Sequence, residues 1–82
     1  MDQELLRGSL RVAGSKQVLR ALNEDRAAHV FLGKDADSFI YHRINALCEA
    51  KCVPVTVVDS MQELGKLCLV GVKTAAAAVL IK

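Results

Sequence analysis

Leu10-Arg11-Val12-Ala13-Gly14-Ser15-Lys16-Gln17-Val18-Leu19-Arg20 is the stretch whose reading decides the fold. A short apolar run leads into a glycine, then a serine able to cap a helix, then two basic side chains one helical turn apart. This is a strand–loop–helix joint whose helix N-terminus can face an anionic partner.

The same rhythm continues in both directions. Residues 2–7 read as a short helix with acids at its start and Gly8 as its stop, and Ser9 to Ala13 as the first strand. The helix capped by Ser15 extends to about Asp25, with Val18, Ala21 and Leu22 facing inward. Ala28 to Gly33 is a continuous apolar run, hence a strand buried on both faces. Lys34-Asp35-Ala36-Asp37 is a turn, and Asp37 or Ser38 caps a helix to about Lys51, whose Ile40, Ile44, Leu47 and Cys48 fall at helical spacing.

Val53 to Val58 reads as a second fully buried strand, with Pro54 tolerated near its start. Ser60 and Glu63 match a capping box for a helix over about Met61 to Leu69. Val70 to Thr74 is a loop, and Ala75 to Ile81 the last strand, small enough for helices to pack closely on it. Helix and strand alternating with short connections predict an α/β fold: one domain over residues 1–82, a three-layer α/β/α sandwich around a central four-stranded mixed sheet.

Composition bounds the function. With 82 residues there is room for one modest core, and with 52% hydrophobic and 24% charged residues the chain is globular rather than disordered. Net charge is only +2, but it is unevenly spread. Arg7, Arg11, Lys16 and Arg20 lie between Glu4 and Glu24 with no acid among them, and Lys66, Lys73 and Lys82 follow Glu63 with none. The middle is net acidic, so the two ends can gather a positive face.

Cys48, Cys52 and Cys68 are odd in number and the first residues are acidic and polar, so reduced thiols in a soluble cytoplasmic protein are expected. The run Ala75 to Ile81 is too short to span a membrane. Cys48 and Cys52, with His42 and Cys68 elsewhere, lack the second close ligand pair of a structural zinc site, and buried structural thiols are the expectation. His29 reads as a packing or edge residue, and Asp35 and Asp37 as a turn and a helix cap. There is no nucleophile elbow, Walker loop or dinucleotide fingerprint, so neither enzymatic activity nor a cofactor is expected. A monomer is the default.

The joint is unusual electrostatically. A helix start carries unpaired N–H groups and about half a positive charge, which Asp or Glu commonly offsets. Here Lys16 and Gln17 stand there, with no acid until Glu24. Lys16 opposes the dipole by roughly 0.3–1 kcal/mol, whereas a phosphate or an electronegative base edge would gain from N–H donors, dipole and ammonium together. Arg20 extends that face, and Gly14 permits close approach. An ordinary solvated helix with exposed Lys and Arg remains an equal reading of these residues. The segment Leu69-Val70-Gly71-Val72-Lys73-Thr74 suits contact with unstacked bases, or else tucks its valines into the core.

Gly14-Ser15-Lys16-Gln17-x-x-Arg20 resembles the RNA-contacting motif of the ribosomal L-seven-Ae family of kink-turn-binding proteins, where the pattern is Gly, a small or variable residue, Asn, Glu, two further residues and Lys. Lys34-Asp35-Ala36-Asp37, Val53-Pro54-Val55, and Leu64-Gly65-Lys66-Leu67-Cys68 before the alanine-rich strand match in order and spacing. Lys16-Gln17 in place of Asn-Glu resembles the YbxF-type branch of Gram-positive bacteria.

The resemblance implies an α/β/α sandwich that binds a bulged, sharply bent RNA duplex with tandem sheared G·A pairs. Its implied RNA-binding set is Gly14, Ser15, Lys16, Gln17, Arg20, Lys34, Val70, Gly71, Val72 and Lys73. Gly14 would allow close approach; Lys16, Gln17 and Arg20 would address guanine edges and phosphates, with Lys34 near the same groove. The Val70 to Lys73 loop would cover flipped-out bases. Partners are then structured RNA (a kink-turn in ribosomal RNA, a riboswitch or another RNA) and the ribosome.

Two departures stand out. Lys-Gln removes a carboxylate acceptor and adds a cation, implying more salt-sensitive binding. Leu69 stands where the family usually has Gly, with Gly71 two residues later, implying a longer or differently shaped loop. The alternative is a ribosome-associated interaction or structural module with weak or non-specific RNA binding.

Overall fold

A computed structural model of the chain describes residues 11–67 and 73–81. Their elements are β1 (Arg11–Ala13), α1 (Ser15–Asn23), β2 (Ala27–Gly33), α2 (Ser38–Lys51), β3 (Val55–Val58), α3 (Met61–Leu67) and β4 (Ala76–Leu80). The helix expected over residues 2–7, residues 9 and 10 of the first expected strand, and residues 68 and 69 of the fourth expected helix lie outside the described residues.

The four strands form one mixed sheet in the order β1-β4-β2-β3. β4 runs antiparallel to β1 and β2, while β3 is parallel to β2. Alternation along the central strands splits the core in two. Val30 and Leu32 of β2 and Ala76 and Ala78 of β4 pack with Val18, Ala21 and Leu22 of α1 and Ile44 and Cys48 of α2. Phe31, Ala77 and Val79 face the other way, onto Leu64 and Leu67 of α3 and Val58. The result is the expected three-layer sandwich. Each fully buried Val, Leu, Ile or Phe contributes roughly 1.5–3 kcal/mol relative to exposure, and the fully buried alanines Ala76 to Ala78 let both helical layers approach the sheet.

Four expectations are corrected. Ser15 does not cap α1: the N-cap is Gly14, at φ 103°, and no side chain among the described residues caps the helix. Only glycine takes that backbone conformation readily, so the chain turns one residue earlier and Ser15 becomes the first helical residue. Second, β3 begins at Val55, not Val53, and is an edge strand with Val57 46% exposed. Pro54 has no N–H for a ladder, and contributes instead its carbonyl, which accepts from Val30 N–H at 3.0 Å. Its run of valines reflects strand propensity on a half-covered face rather than full burial.

Third, Ala28 is exposed and His29 half-buried, so β2 is fully buried only from Val30 onward. His29 shares a hydrogen bond of 2.7 Å with Thr56 Oγ1 and packs on Phe31 with ring centroids 4.6 Å apart. Fourth, Cys48 is buried but Cys52 is exposed.

Both long helices end in the same way without glycine. After α1, Arg26 N–H donates to Ala21 C=O (2.9 Å) and Asp25 N–H to Leu22 C=O (3.2 Å), with Asp25 at φ 57°. After α2, Val53 N–H donates to Cys48 C=O (2.9 Å) and Cys52 N–H to Glu49 C=O (3.2 Å), with Cys52 at φ 58°. These are Schellman endings, in which Asp and Cys take the left-handed position that usually falls to Gly.

Candidate nucleic-acid interface

Strand directions decide which residues meet. Because β1, β2 and β3 run one way and β4 the other, the C-terminal ends of the first three and the start of β4 share one edge of the sheet. Ala77 pairs with Ala13 on one side and Phe31 on the other. The ends of β1 and β2 therefore stand two strand spacings apart, about 10 Å. Gly14 N–H donates to Ala76 C=O (2.8 Å) and Gly33 N–H to Ala75 C=O (2.9 Å), pinning both exits to the entry of β4. Gly14 and Ser15 at the α1 start, Lys16, Gln17, Lys34 and Lys73 are thus collected at one end from three separated segments. Lys16, Gln17, Lys34 and Lys73 are all exposed. Val70, Gly71 and Val72 lie outside the described residues.

The three described helices differ at their starts. Asp37, not Ser38, caps α2: its Oδ1 accepts from Phe39 N–H (2.9 Å) and Ile40 N–H (3.3 Å). At α3, Ser60 Oγ accepts from Glu63 N–H (3.0 Å) and Asp35 Oδ1 from Met61 N–H (2.6 Å). At α1 no side chain among the described residues caps the helix and the first turn holds no acid, while the N–H groups of Ser15, Lys16 and Gln17, being the first of the helix, have no intrahelical acceptor. Among the described residues, nothing lies within 4 Å of where a Cβ on Gly14 would stand.

The charges agree with this picture. Among the described residues no ion pair holds Lys16, Lys34 or Lys73. Asp35 and Asp37 follow Lys34, but each carboxylate faces a helix start, where the dipole offsets its charge. Arg20 is different. Its Nε lies 3.3 Å from Glu24 Oε2, while Arg26 Nη1 lies 3.2 Å from Glu24 Oε1. The hydrogen bonds from Arg26 and then Arg20 hold the Glu24 carboxyl below its ordinary range. At 73% exposure for Arg20, this pair is weak and opens at little cost. The resemblance directs Arg20 at RNA, and its pairing with Glu24 goes unread in the sequence, although the i,i+4 spacing signals the pair.

Gly33 was also overlooked. A Cβ there would stand 2.8 Å from Met61 Cγ and 3.0 Å from Met61 Cα and N. Its small size allows the end of β2 to meet the start of α3, a long-range contact with no local sequence signal.

The comparisons bear on what such an end does. The model of the Ribosomal protein L7Ae/L30e/S12e/Gadd45 family matches residues 4–82. An RNA-binding protein of Geobacillus kaustophilus is 44% identical over 78 residues, 95% of each chain. RNA-binding protein YbxF of Geobacillus stearothermophilus is 42% identical over 78 residues, again 95% of each. A 15.5 kD RNA binding protein of Giardia lamblia has the same fold with a TM-score of 0.84 at 27% identity, covering 98% of this chain and 68% of that one. A Bacillus halodurans protein of unknown function has a TM-score of 0.79 at 25% identity, covering 92% and 75%. The sandwich and its collinear relatives lead to one assignment: this chain belongs to the ribosomal protein L7Ae/L30e/S12e/Gadd45 family.

Proposed function

We propose that this is a non-catalytic RNA-binding protein that recognises and stabilises kink-turn RNA, with the open α1 start as its central contact. The observation that carries the reading is the contrast among helix starts: α2 and α3 are capped by side chains, while among the described residues no side chain caps α1, beside Lys16. Unpaired amides, dipole and cation together favour an anion or an electronegative base edge. The RNA-binding names of the relatives support RNA as that partner.

In this reading Lys16, Gln17 and Arg20 address guanine edges and phosphates at the sheared G·A pairs. Gly14 and Ser15 bring the backbone close, and Lys34 meets the adjacent backbone. Val70, Gly71, Val72 and Lys73 meet the splayed bases of the bulge. Reaching RNA requires Arg20 to exchange Glu24 for a phosphate, an exchange between charge-assisted bonds.

A kink-turn RNA labelled with a donor and an acceptor on its two arms tests the proposal. Addition of protein in low magnesium should raise energy transfer as the arms fold together. Binding with no change in transfer would contradict kink-turn stabilisation. It would favour the second reading, a ribosome-associated module with weak or non-specific RNA affinity, which the Lys16-Gln17 pair motivates.

A further inference from the structure

Two of the basic segments at the sheet end, the Lys34 turn and the entry to β4, meet at a third residue, Met61. Its N–H donates to Asp35 Oδ1 at 2.6 Å, and its carbonyl accepts from Thr74 N–H at 3.0 Å. On the third side Gly33 packs so closely that a Cβ would lie 3.0 Å from the Met61 backbone. The turn itself is closed by Ala36 N–H to Gly33 C=O (3.0 Å) and moored by Lys34 N–H to Val58 C=O (2.8 Å).

The Asp35 contact is not needed merely to start α3, because Ser60 already caps that helix on Glu63 N–H. Nor does a carboxylate beside Lys34 favour an anionic partner. What the carboxylate does is join segments 26 residues apart.

We propose that Asp35 is a positioning residue for RNA recognition. Through Met61 it fixes the Lys34 turn relative to Lys73 and Thr74, so that cations from both segments meet one RNA in a fixed geometry. The proposal rests on the RNA-binding reading above. An immobilised charge binds better than one that must be ordered on contact.

Three variants separate this from simple electrostatics. Asp35→Asn removes the charge but keeps the acceptor; Asp35→Ala removes both. Met61→Pro removes the donor, leaves Asp35 charged, and places proline at the first helical position, where it is well tolerated. Each is titrated with kink-turn RNA and with a duplex lacking the G·A pairs, and its melting temperature and the amide exchange of Thr74 are recorded.

Asp35→Asn should bind the kink-turn within about twofold of wild type or more tightly, with Thr74 still protected. Asp35→Ala and Met61→Pro should bind about five- to tenfold more weakly, with faster Thr74 exchange and little change on the control duplex. Equal binding by Asp35→Ala and Asp35→Asn would overturn the proposal while leaving the RNA reading intact. If Asp35→Ala does not fold, wild-type affinity in Met61→Pro overturns it instead. Failure of wild type to distinguish the two RNAs would instead overturn the reading on which the proposal rests.

Discussion

Lys16 sits in the first turn of a helix that no side chain caps among the described residues, where a positive charge opposes the dipole. It enters no ion pair among the described residues, so its effects on folding and on binding separate cleanly. Lys16→Ala should leave the free protein as stable as before, or more stable by up to about 0.5 kcal/mol, while weakening RNA binding. It should also lower the slope of log affinity against log salt by about one, a signature of one lost phosphate contact. Denaturant melts and titrations at several salt concentrations measure both. Glu24 is the opposite case. Glu24→Gln removes the anion that engages Arg20 and Arg26 and should tighten RNA binding, because Arg20 then meets phosphate without competition. A filter-binding comparison of Glu24→Gln with wild type checks this, and weaker binding would mean that Glu24 orients Arg20 usefully.

Helix beginnings and endings show where sequence reading succeeds at the scale of elements. Asp37, Ser60 and the apolar spacing Ile40, Ile44, Leu47, Cys48 are local patterns, and the structure follows them. Gly14 as cap in place of Ser15, and the edge position of β3, were not legible, because each depends on what lies alongside: β4 takes the Gly14 N–H, and among the described strands β2 alone pairs with β3. The candidate interface was legible in its residue types but not in the Asp35–Met61 joint or the Arg20–Glu24 pair. The α2 ending yields a direct test. Cys52 holds φ 58° with a side chain, at an expense of roughly 1 kcal/mol relative to glycine. Cys52→Gly should therefore raise the melting temperature by about 4–8 °C, as expected for ~1 kcal/mol in a domain of this size.

The whole molecule is a sheet that brings three chain segments to one end and a core that keeps them there. Cys48 reports on that core. Burial pushes its thiol from 9.0 up to about 11, so the folded state holds this proton after the unfolded chain has released it. Its contribution is intact below pH 9 and fades as pH rises through about 11. The stability difference between wild type and Cys48→Ala should accordingly shrink across that window, as denaturant melts at successive pH values would record. The proposed function draws on the same rigidity: Gly14 and Gly33 are hydrogen-bonded on either side of the β4 entry, which sets the spacing of the basic segments in the free protein. The central claim is that this arrangement reads a particular RNA shape rather than charge alone. Titration with a kink-turn RNA and with the same RNA lacking its sheared G·A pairs tests it most directly. The account predicts at least about thirtyfold tighter binding to the kink-turn, roughly 2 kcal/mol, at physiological salt. Equal affinities for the two RNAs would contradict it.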